Sequence, residues 1–564
     1  MTIKEKQNRK NAIGELLGGK IKSRAELMAI KRKLAKKYGS SILLHSEILK
    51  EYRNRLKAGT IKRQFELERI LRKRSVRTMS GIAPVAVLTK PYPCPGRCTY
   101  CPSELGVPQS YLSNEPAVMR AIRCNYEPYK QVALRLRALE ANGHEPTKIE
   151  LIVIGGTWSA LPENYKYWYI TQCFRAANDY GKKITNYKLP CPRNVRQDKQ
   201  ITNKIQKLKR QLLKEQKKNE SAKYNIIGIT LETRPDYIND KELWQMRELG
   251  ATRVELGVQA VDDKILKLNK RGHVVAEIAR ATEMLKNFGF KVTYHIMPGL
   301  PGATAKKDLA MFKKLFADER FQPDQLKFYP TVVTRGSLLY KWWKAGKYKP
   351  YSDKVLQNLI VACKKVVPLY VRIIRLIRDI PGESIIAGNM VTNLRQVMKD
   401  RGVACRCIRC REAKEQKFKV ESFLSSKASV AGEKLKVIKY KASSGVEYFL
   451  SYESRDKKIL YGFCRLRLSW RRKNSEDAKR PMGRLASDAA LVRELHVYGE
   501  LVSVGGDKKV QHAGLGRMLM QEAEKIARDK GAKKIAVIAG VGVRGYYRKL
   551  GYRLDNSYML KSLV

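Results

Sequence analysis

Three cysteines, Cys94, Cys98 and Cys101, stand in the run Cys-Pro-Gly-Arg-Cys-Thr-Tyr-Cys, directly after an apolar, β-rich segment. Three thiolates on one short loop can each hold an iron of a [4Fe–4S] cube, and the fourth iron is then open to a small chelating molecule. A structural zinc loop, or a chance grouping of thiols, is the alternative. A second group, Cys405, Cys407 and Cys410, places three thiolates within six residues. That spacing suits a zinc site whose fourth ligand comes from elsewhere, from Cys363, Cys464 or a histidine. A second iron–sulfur cluster and unpaired structural thiols are its rivals. A third motif, Gln511-His-Ala-Gly514-Leu515-Gly516-Arg517, follows the strand candidate Val492–Val497 and leads into a helical run from Met518. Q-x-x-G-x-G at a strand-to-helix turn aims consecutive backbone N–H groups, with a helix dipole behind them, at a pyrophosphate.

The elements that must position these groups are legible in the pattern of the chain. From residue 81 to about 380, short β-rich runs alternate with helical ones: Val85–Leu88, Ile149–Ile154, Asn225–Leu231, Thr252–Val258, Lys291–Ile296, Gln325–Tyr329 and Val371–Leu376. Such alternation predicts βα units and a parallel sheet or partial barrel. Several strand ends carry polar or glycine-rich motifs: Gly155-Gly156, Glu232-Thr-Arg234-Pro-Asp236, Glu255 to Gln259, and His295 to Gly302. Ligands of parallel barrels sit on that face, and paired glycines let backbone approach a ligand closely. Together with the cysteine loop, these strand ends resemble the S-adenosylmethionine (SAM) landmarks of the radical SAM superfamily, in which SAM occupies the open iron. Residues 381–420 read as a Cys-rich connector. Residues 421–564 read as strand, strand, helix, strand, helix, strand, a separate α+β domain. There Ile535–Ile538 and Tyr546-Tyr547-Arg-Lys-Leu-Gly-Tyr552 complete an order similar to that of GNAT-type N-acetyltransferases. Core packing is the plain expectation for one of the two tyrosines, and the other could reach the sulfur of coenzyme A as a donor.

Composition bounds the partners. The chain has 564 residues, too many for one core, and 43% of them are apolar. Its 114 Lys+Arg against 53 Asp+Glu give a net charge of +61. Charge in such clusters predicts a polyanionic partner more readily than a solubility adaptation. Residues 1–80 are basic and helical in pattern, over Arg24–Tyr38 and Glu47–Arg77. Residues 195–222 form a Lys-rich helical insertion that is either a solvated surface helix or a second nucleic-acid arm. The N-terminus has no apolar h-region, and the best candidate for a span, Val366–Ile380, is broken by Arg372, Arg375 and Arg378. A cytoplasmic protein without a membrane contact is expected, with its cysteines in metal sites rather than disulfides.

The two signatures in this order resemble the catalytic subunit of the Elongator family, in its archaeal or bacterial stand-alone form. The resemblance runs from about residue 80 to the C-terminus and also rests on Met119–Arg123, Asn269-Lys-Arg-Gly-His273, Tyr329-Pro-Thr331, Arg378-Asp-Ile-Pro381, Arg493–Gly499 and Gly545-Tyr-Tyr-Arg548. It implies a radical SAM partial (β/α) barrel joined to an α+β GNAT domain; residues 1–80 match less distinctly, and their basic helices are the expected tRNA-binding segment. It implies carboxymethylation at C5 of the wobble uridine in the tRNA anticodon stem-loop, with acetyl-CoA as carbon donor. In that scheme a SAM-derived 5′-deoxyadenosyl radical abstracts hydrogen from the acetyl methyl group, the carbon radical adds to uracil, and the thioester is hydrolysed. Carried over residue by residue, Cys94, Cys98 and Cys101 hold the cluster, and Gly155, Gly156, Glu232, Arg234 and Gln259 line the SAM site. Glu494, Leu495, His496, Val497, Gln511, Gly514, Leu515, Gly516, Arg517 and Tyr547 bind acetyl-CoA. Lys148 matches a family lysine that also touches acetyl-CoA, although by itself it reads as an ordinary solvated lysine. Lys148 and Tyr547 are the catalytic candidates. The cluster loop has a shorter spacing than in eukaryotic members, and Cys405, Cys407 and Cys410 belong to this chain's pattern rather than theirs. Electrons come from an external donor; no partner subunit is required, and a homodimer is left open. A protein lysine acetyltransferase is the alternative, and an RNA-binding scaffold with inactive domains a third.

Overall fold

The computed structural model describes residues 3–72, 81–182, 199–391, 393–413, 435–469, 489–498 and 514–564. Four helices open the chain: α1 (Ile3–Gly18), α2 (Arg24–Lys37), α3 (His45–Lys57) and α4 (Phe65–Leu71). Their apolar residues recur at helical spacing and close a small core of their own, built on Leu16, Leu17, Leu27, Leu34, Leu49, Tyr52 and Leu71. The expected helical stretch from Glu47 to Arg77 is two helices over its described part, and residues 73–77 lie outside the described residues. It breaks at Gly59, whose φ of +72° a helix interior does not allow. This bundle meets the rest of the protein mainly through polar contacts, such as Arg53 to the Glu140 carbonyl (2.7 Å) and Arg72 to that of Gly143 (3.2 Å).

The next strands are β1 (Ile82–Leu88), β2 (Lys148–Ile154), β3 (Asn225–Thr233), β4 (Ala251–Gln259), β5 (Lys291–Ile296), β6 (Gln325–Phe328), β7 (Val333–Thr334), β8 (Arg372–Arg375) and β9 (Ile385–Ala387). All but β7 and β9 form one sheet in the order β1-β2-β3-β4-β5-β6-β8, every neighbouring pair parallel, with helices crossing between them. Strand periodicity sorts the side chains. Ile149, Leu151 and Val153 are buried under the helices, whereas Lys148, Glu150, Ile152 and Ile154 alternate with them toward the concave face. Charged and polar residues of the later strands fall in the same rows, so the half-barrel has a polar lumen and an apolar outer wall.

The C-terminal sheet has the order β10-β11-β12-β13-β14-β16-β15, from β10 (Leu435–Lys441), β11 (Gly445–Glu453), β12 (Leu460–Ser469), β13 (Ala489–Val497), β14 (Lys534–Val537), β15 (Arg553–Asp555) and β16 (Tyr558–Ser562). The helix Leu515–Asp529 packs across it with Leu515, Leu519 and Ala523 buried. Four described strands therefore precede that helix where two were expected, and a hairpin ends the chain where one strand was expected. Two physical causes hid them: charged residues that pair in the interior interrupt the apolar alternation of β11 and β12, and Asn556, at φ +51°, turns the final hairpin.

Those interior charges join the two sheets. Asp324, just before β6, and Lys286 come from the half-barrel; Glu447, Arg465, Arg467 and Arg493 come from β11, β12 and β13. Arg493 lies 3.1 Å from Asp324 and 2.9 Å from Glu447, and Lys286 lies 3.7 and 3.6 Å from the same two carboxylates. Burial opposes ionisation of Asp324, but Arg493, Lys286 and Arg465 outweigh it and hold the carboxyl well below the usual range. The backbones also meet closely: a Cβ on Gly540 would lie 1.9 Å from the Ile227 carbonyl oxygen. At the far edge, Glu220 binds Arg548 (2.6 Å) and Arg544 (3.3 Å), tying the end of the Lys199–Asn219 helix to the C-terminal domain. That helix buries Leu212, Gln216 and Asn219, while Lys204, Lys207, Arg210, Lys214, Lys217 and Lys218 stay exposed. Asp324→Ala would strand several buried cations and should destabilise the protein by about 3–5 kcal/mol in chemical denaturation. A cost under about 1 kcal/mol would show the cluster to be dispensable.

Candidate functional site

The half-barrel presents its C-terminal strand ends to the cysteine loop. Cys98 is buried, and its Sγ accepts from Arg271 Nη1 at 3.3 Å. A hydrogen bond from Cys101, aided by Arg271 and opposed by burial, brings the Cys98 thiol down to about 5. The Gly96 amide donates to Cys94 Sγ at 3.4 Å. Arg234 Nη1 lies over the same loop, where a Cβ on Gly96 would be 2.3 Å away, while its other nitrogens hold Asp236 (2.8–3.2 Å). Thiolates flanked by cations suit an anionic iron–sulfide cluster.

Around this loop several buried polar atoms have no hydrogen-bond partner among the described residues: Thr89 Oγ1, Arg234 Nη1, Gln259 Oε1 and Thr331 Oγ1. Buried polar groups are ordinarily paired, so a set of orphans at the ends of adjacent strands marks a ligand-shaped gap. Gly155, at φ +134°, would press a Cβ to 2.1 Å from Thr89, whereas a Cβ on Gly156, at φ +96°, would meet only the Gln109 carbonyl oxygen, at 3.8 Å. Gln259 also holds a positive φ of +69°, aiming its amide from the end of β4. The sequence-predicted residues Gly155, Gly156, Glu232, Arg234 and Gln259 thus share one mouth with the cysteines. Arg271, His273 and Thr331 belong to it too. Their signal was the Asn269–His273 and Tyr329–Thr331 runs, to which residue types alone assign no chemistry.

Below the mouth a polar column descends the lumen. Tyr111 donates to Glu232 (3.0 Å), His295 bridges Glu232 (3.6 Å) and Glu255 (2.9 Å), and Lys327 contacts Glu255 directly. Burial opposes ionisation of Glu255, yet Lys327 and His295 keep it a carboxylate. Lower still, Arg253 pairs with Glu150 and donates to Thr230 (2.8 Å) and Gln325 (3.2 Å). Lys148 begins β2 at this N-terminal end, and burial alone draws its ammonium below the ordinary lysine value.

The C-terminal domain meets the lumen at this end. β13 pairs with β14 only from Ala489 to Val492, so among the described residues Arg493 to Val497 have no strand partner on that side. The Glu494 carboxylate is held by Arg465 (3.0 Å) and Lys291 (3.4 Å), which leaves its peptide rather than its side chain to a ligand. His496 stacks on Phe463 (6.0 Å) and lies tilted against Tyr498 (4.3 Å), and its Nε2 has no hydrogen-bond partner among the described residues. Burial, then Arg372, lowers its pKa to about 4, so the ring is neutral at pH 7. Gly514 at φ +79° starts the Leu515–Asp529 helix, and the Tyr546 hydroxyl would lie 2.7 Å from a Cβ on Gly516. Leu515 is buried beneath that turn. Arg517 is on the first turn of the helix, and Gln511 lies outside the described residues. Tyr547 is 6% exposed and packs with Tyr552; Tyr546 is 39% exposed and stands over the glycine turn. An unpaired strand edge beside a helix N-terminus can take an extended amide chain and its pyrophosphate together.

Beside β8, the Sγ atoms of Cys405, Cys407 and Cys410 lie within 4.8 Å of one another. Among the described residues no fourth Cys, His, Asp or Glu joins them, and Cys363 and Cys464 sit in other parts of the core.

Half-barrel, cysteine loop and cleft define a radical SAM protein fused to a GNAT-type acetyltransferase. The Radical SAM superfamily pattern matches residues 92–315, the Radical_SAM C-terminal domain 323–401, and the Acetyltransferase (GNAT) family 434–552. The "tRNA uridine(34) acetyltransferase" of Dehalococcoides mccartyi is 43% identical over 87% of this chain and 100% of its own. "Elongator complex protein 3" of Homo sapiens is 40% identical over 87% and 86%. A solved structure of the archaeal Methanocaldococcus infernus Elp3, with an N-terminal deletion, superposes with a TM-score of 0.67 at 38% identity, over 86% of this chain and 100% of that one. The chain belongs to the family of tRNA uridine(34) acetyltransferases and Elongator complex protein 3. Its radical SAM domain implies SAM and a [4Fe–4S] cluster, and its GNAT domain implies acetyl-CoA. No described helix is long and apolar enough to cross a membrane.

Gly516→Glu adds bulk and negative charge at the glycine turn and should weaken acetyl-CoA binding at least about tenfold in calorimetry. Unchanged affinity would remove the turn from the pyrophosphate site.

Proposed function

We propose that this protein modifies uridine 34 of tRNA at C5, with acetyl-CoA as the source of the added carbon. The observation that carries the reading is that one polar lumen has the cysteine mouth at its top and β13 of the acetyltransferase domain at its base. His496 on that strand feels the charges of Arg372, Glu494, Lys291 and Glu150. Reductive cleavage of SAM at the cluster, with an electron from an external donor, supplies the radical chemistry. The chain's own residues do the rest. Gly155, Gly156, Glu232, Arg234 and Gln259 hold SAM against Cys94, Cys98 and Cys101. The β13 edge and the Gly514–Gly516 turn hold acetyl-CoA, with Tyr546 and Tyr547 beside them. Lys148, less basic than a solvated lysine, sits where the lumen meets that domain. The Glu232–His295–Glu255–Lys327 column lines the path between the two cofactors, where a flipped base would be received. Cys405, Cys407 and Cys410 bind structural zinc; three thiolates are a soft donor set suited to it.

A protein lysine acetyltransferase needs neither the cysteine mouth nor the lumen. Incubation with tRNA, acetyl-CoA, SAM and a reductant, followed by mass analysis of nucleosides and peptides, separates the readings. A modified uridine is expected at position 34; acetylated peptides with unchanged nucleosides would overturn the proposal. Because α1–α4 close their own core, deleting residues 1–75 should leave acetyl-CoA binding intact. It should weaken tRNA binding by roughly an order of magnitude and flatten its salt dependence. Equal salt slopes would place the RNA footprint elsewhere.

Metal analysis distinguishes the two cysteine groups. Alanine at Cys94, Cys98 and Cys101 should remove about four irons and abolish 5′-deoxyadenosine formation. Alanine at Cys405, Cys407 and Cys410 should remove zinc and lower stability; iron and sulfide lost there instead would mean a second cluster.

A further inference from the structure

Residues 335–351, RGSLLYKWWKAGKYKPY, hold five aromatic and five cationic side chains and no carboxylate. Arg335, Lys341, Lys344, Lys347 and Lys349 are all exposed. Tyr340, Trp342 and Trp343 are half-buried, and the Tyr340 and Trp343 rings stack at 6.0 Å. Beside them opens a cavity of about 370 Å³, whose lining includes Leu268, Leu300, Trp342, Tyr348, Lys347 and Lys349. Its walls are fixed. Tyr348 donates its hydroxyl to the Gly299 carbonyl (2.7 Å), and Tyr351 donates to Asp308 (2.8 Å). The whole segment is bonded to the cysteine loop: the Leu339 amide donates to the Thr99 carbonyl (2.8 Å), and the Ser103 amide to the Gly336 carbonyl (3.2 Å). The opposite wall is bonded to it too, since Thr99 donates to the Asn269 side chain (2.9 Å) and Asn269 donates to the Pro301 carbonyl (3.0 Å).

A surface of aromatic faces and cations without an acid suits a ligand that is both planar and anionic. An acidic protein would be met by the lysines alone and would have no use for a ring-walled cavity. An RNA duplex offers phosphates but keeps its bases stacked inside. An unpaired nucleotide offers both, and stacking on aromatic rings beside a cationic rim is how single-stranded RNA is held. We propose that this cavity and the Tyr340–Trp343 surface form a stacking site for an unpaired nucleotide of the substrate RNA. The site lies outside the catalytic mouth and is anchored to the cysteine loop, so it would hold a base neighbouring the target uridine rather than the target itself. The proposal rests on the RNA-modifying reading above.

The test uses the full chain, a fluorescent anticodon stem-loop RNA and a blunt RNA duplex of equal length, with affinities read by anisotropy. Trp342→Leu keeps apolar bulk without a π face and should weaken the stem-loop about tenfold, leaving the duplex unchanged. Trp342→Phe should stay within about threefold of the unsubstituted protein, and acetyl-CoA binding of both variants should be unaltered. Stem-loop affinity unchanged in Trp342→Leu overturns the proposal. An equal loss in both variants, or an equal loss on the duplex, assigns Trp342 to packing and overturns it as well. Slower cluster reduction by an acidic electron-transfer protein, with RNA binding intact, would give the surface to the reductant. If the unsubstituted protein does not bind the stem-loop, it is the RNA reading itself that fails.

Discussion

The buried ion cluster around Asp324 fixes the relation between the two domains, and that relation is what makes one enzyme of two folds. The half-barrel and the C-terminal sheet share part of one apolar core, through Phe449, Phe463, Ile538 and Val541. On the proposed reading, two cofactors at opposite ends of a lumen would cooperate only if the lumen is continuous and its walls do not shift. Burying Asp324 and Glu447 among Arg465, Arg467, Arg493 and Lys286 is costly in isolation, because each charge loses its hydration. The cost is recovered only in the one arrangement that pairs them all, which makes the cluster a device of orientation more than of net stability.

Around that junction the chemistry divides by depth. Apolar residues face the helices and close the barrel wall, while alternate positions on the same strands line the lumen with charge. A period of two thus supplies both the core and the reaction path. At the top, unsatisfied polar atoms and left-handed backbone positions gather round the cysteine loop. At the base, β13 parts from β14 and offers bare peptide groups. The two ends use different means, side chains at one and backbone at the other, and this matches a compact chelating ligand against a long extended one.

How legible each part was in the sequence follows from these means. The seven parallel strands showed as β-rich runs, since their outer faces are apolar. The cysteine loop showed because three thiols at fixed spacing have few other uses. The C-terminal strands were under-read because Glu447, Arg465 and Arg467 look like surface residues, and only tertiary pairing makes them interior. Tyr546 and Tyr547 are adjacent and identical in type, so no local pattern could say which ring packs and which stands over the glycine turn. Arg271 and His273 reach the cysteine mouth through a loop whose course depends on the barrel's closure.

The parting of β13 from β14 has a consequence for how this strand tolerates change. Its peptide groups face the edge proposed for acetyl-CoA, and peptide groups are the same whatever residue carries them. The side chains of Arg493 and Glu494 are turned instead to the half-barrel, through Asp324 and Lys291, and to their own sheet, through Glu447 and Arg465. One short strand thus answers to two neighbours in two separate alphabets. Drift in its side chains would register first as a loss of domain registration, with the ligand edge still chemically whole.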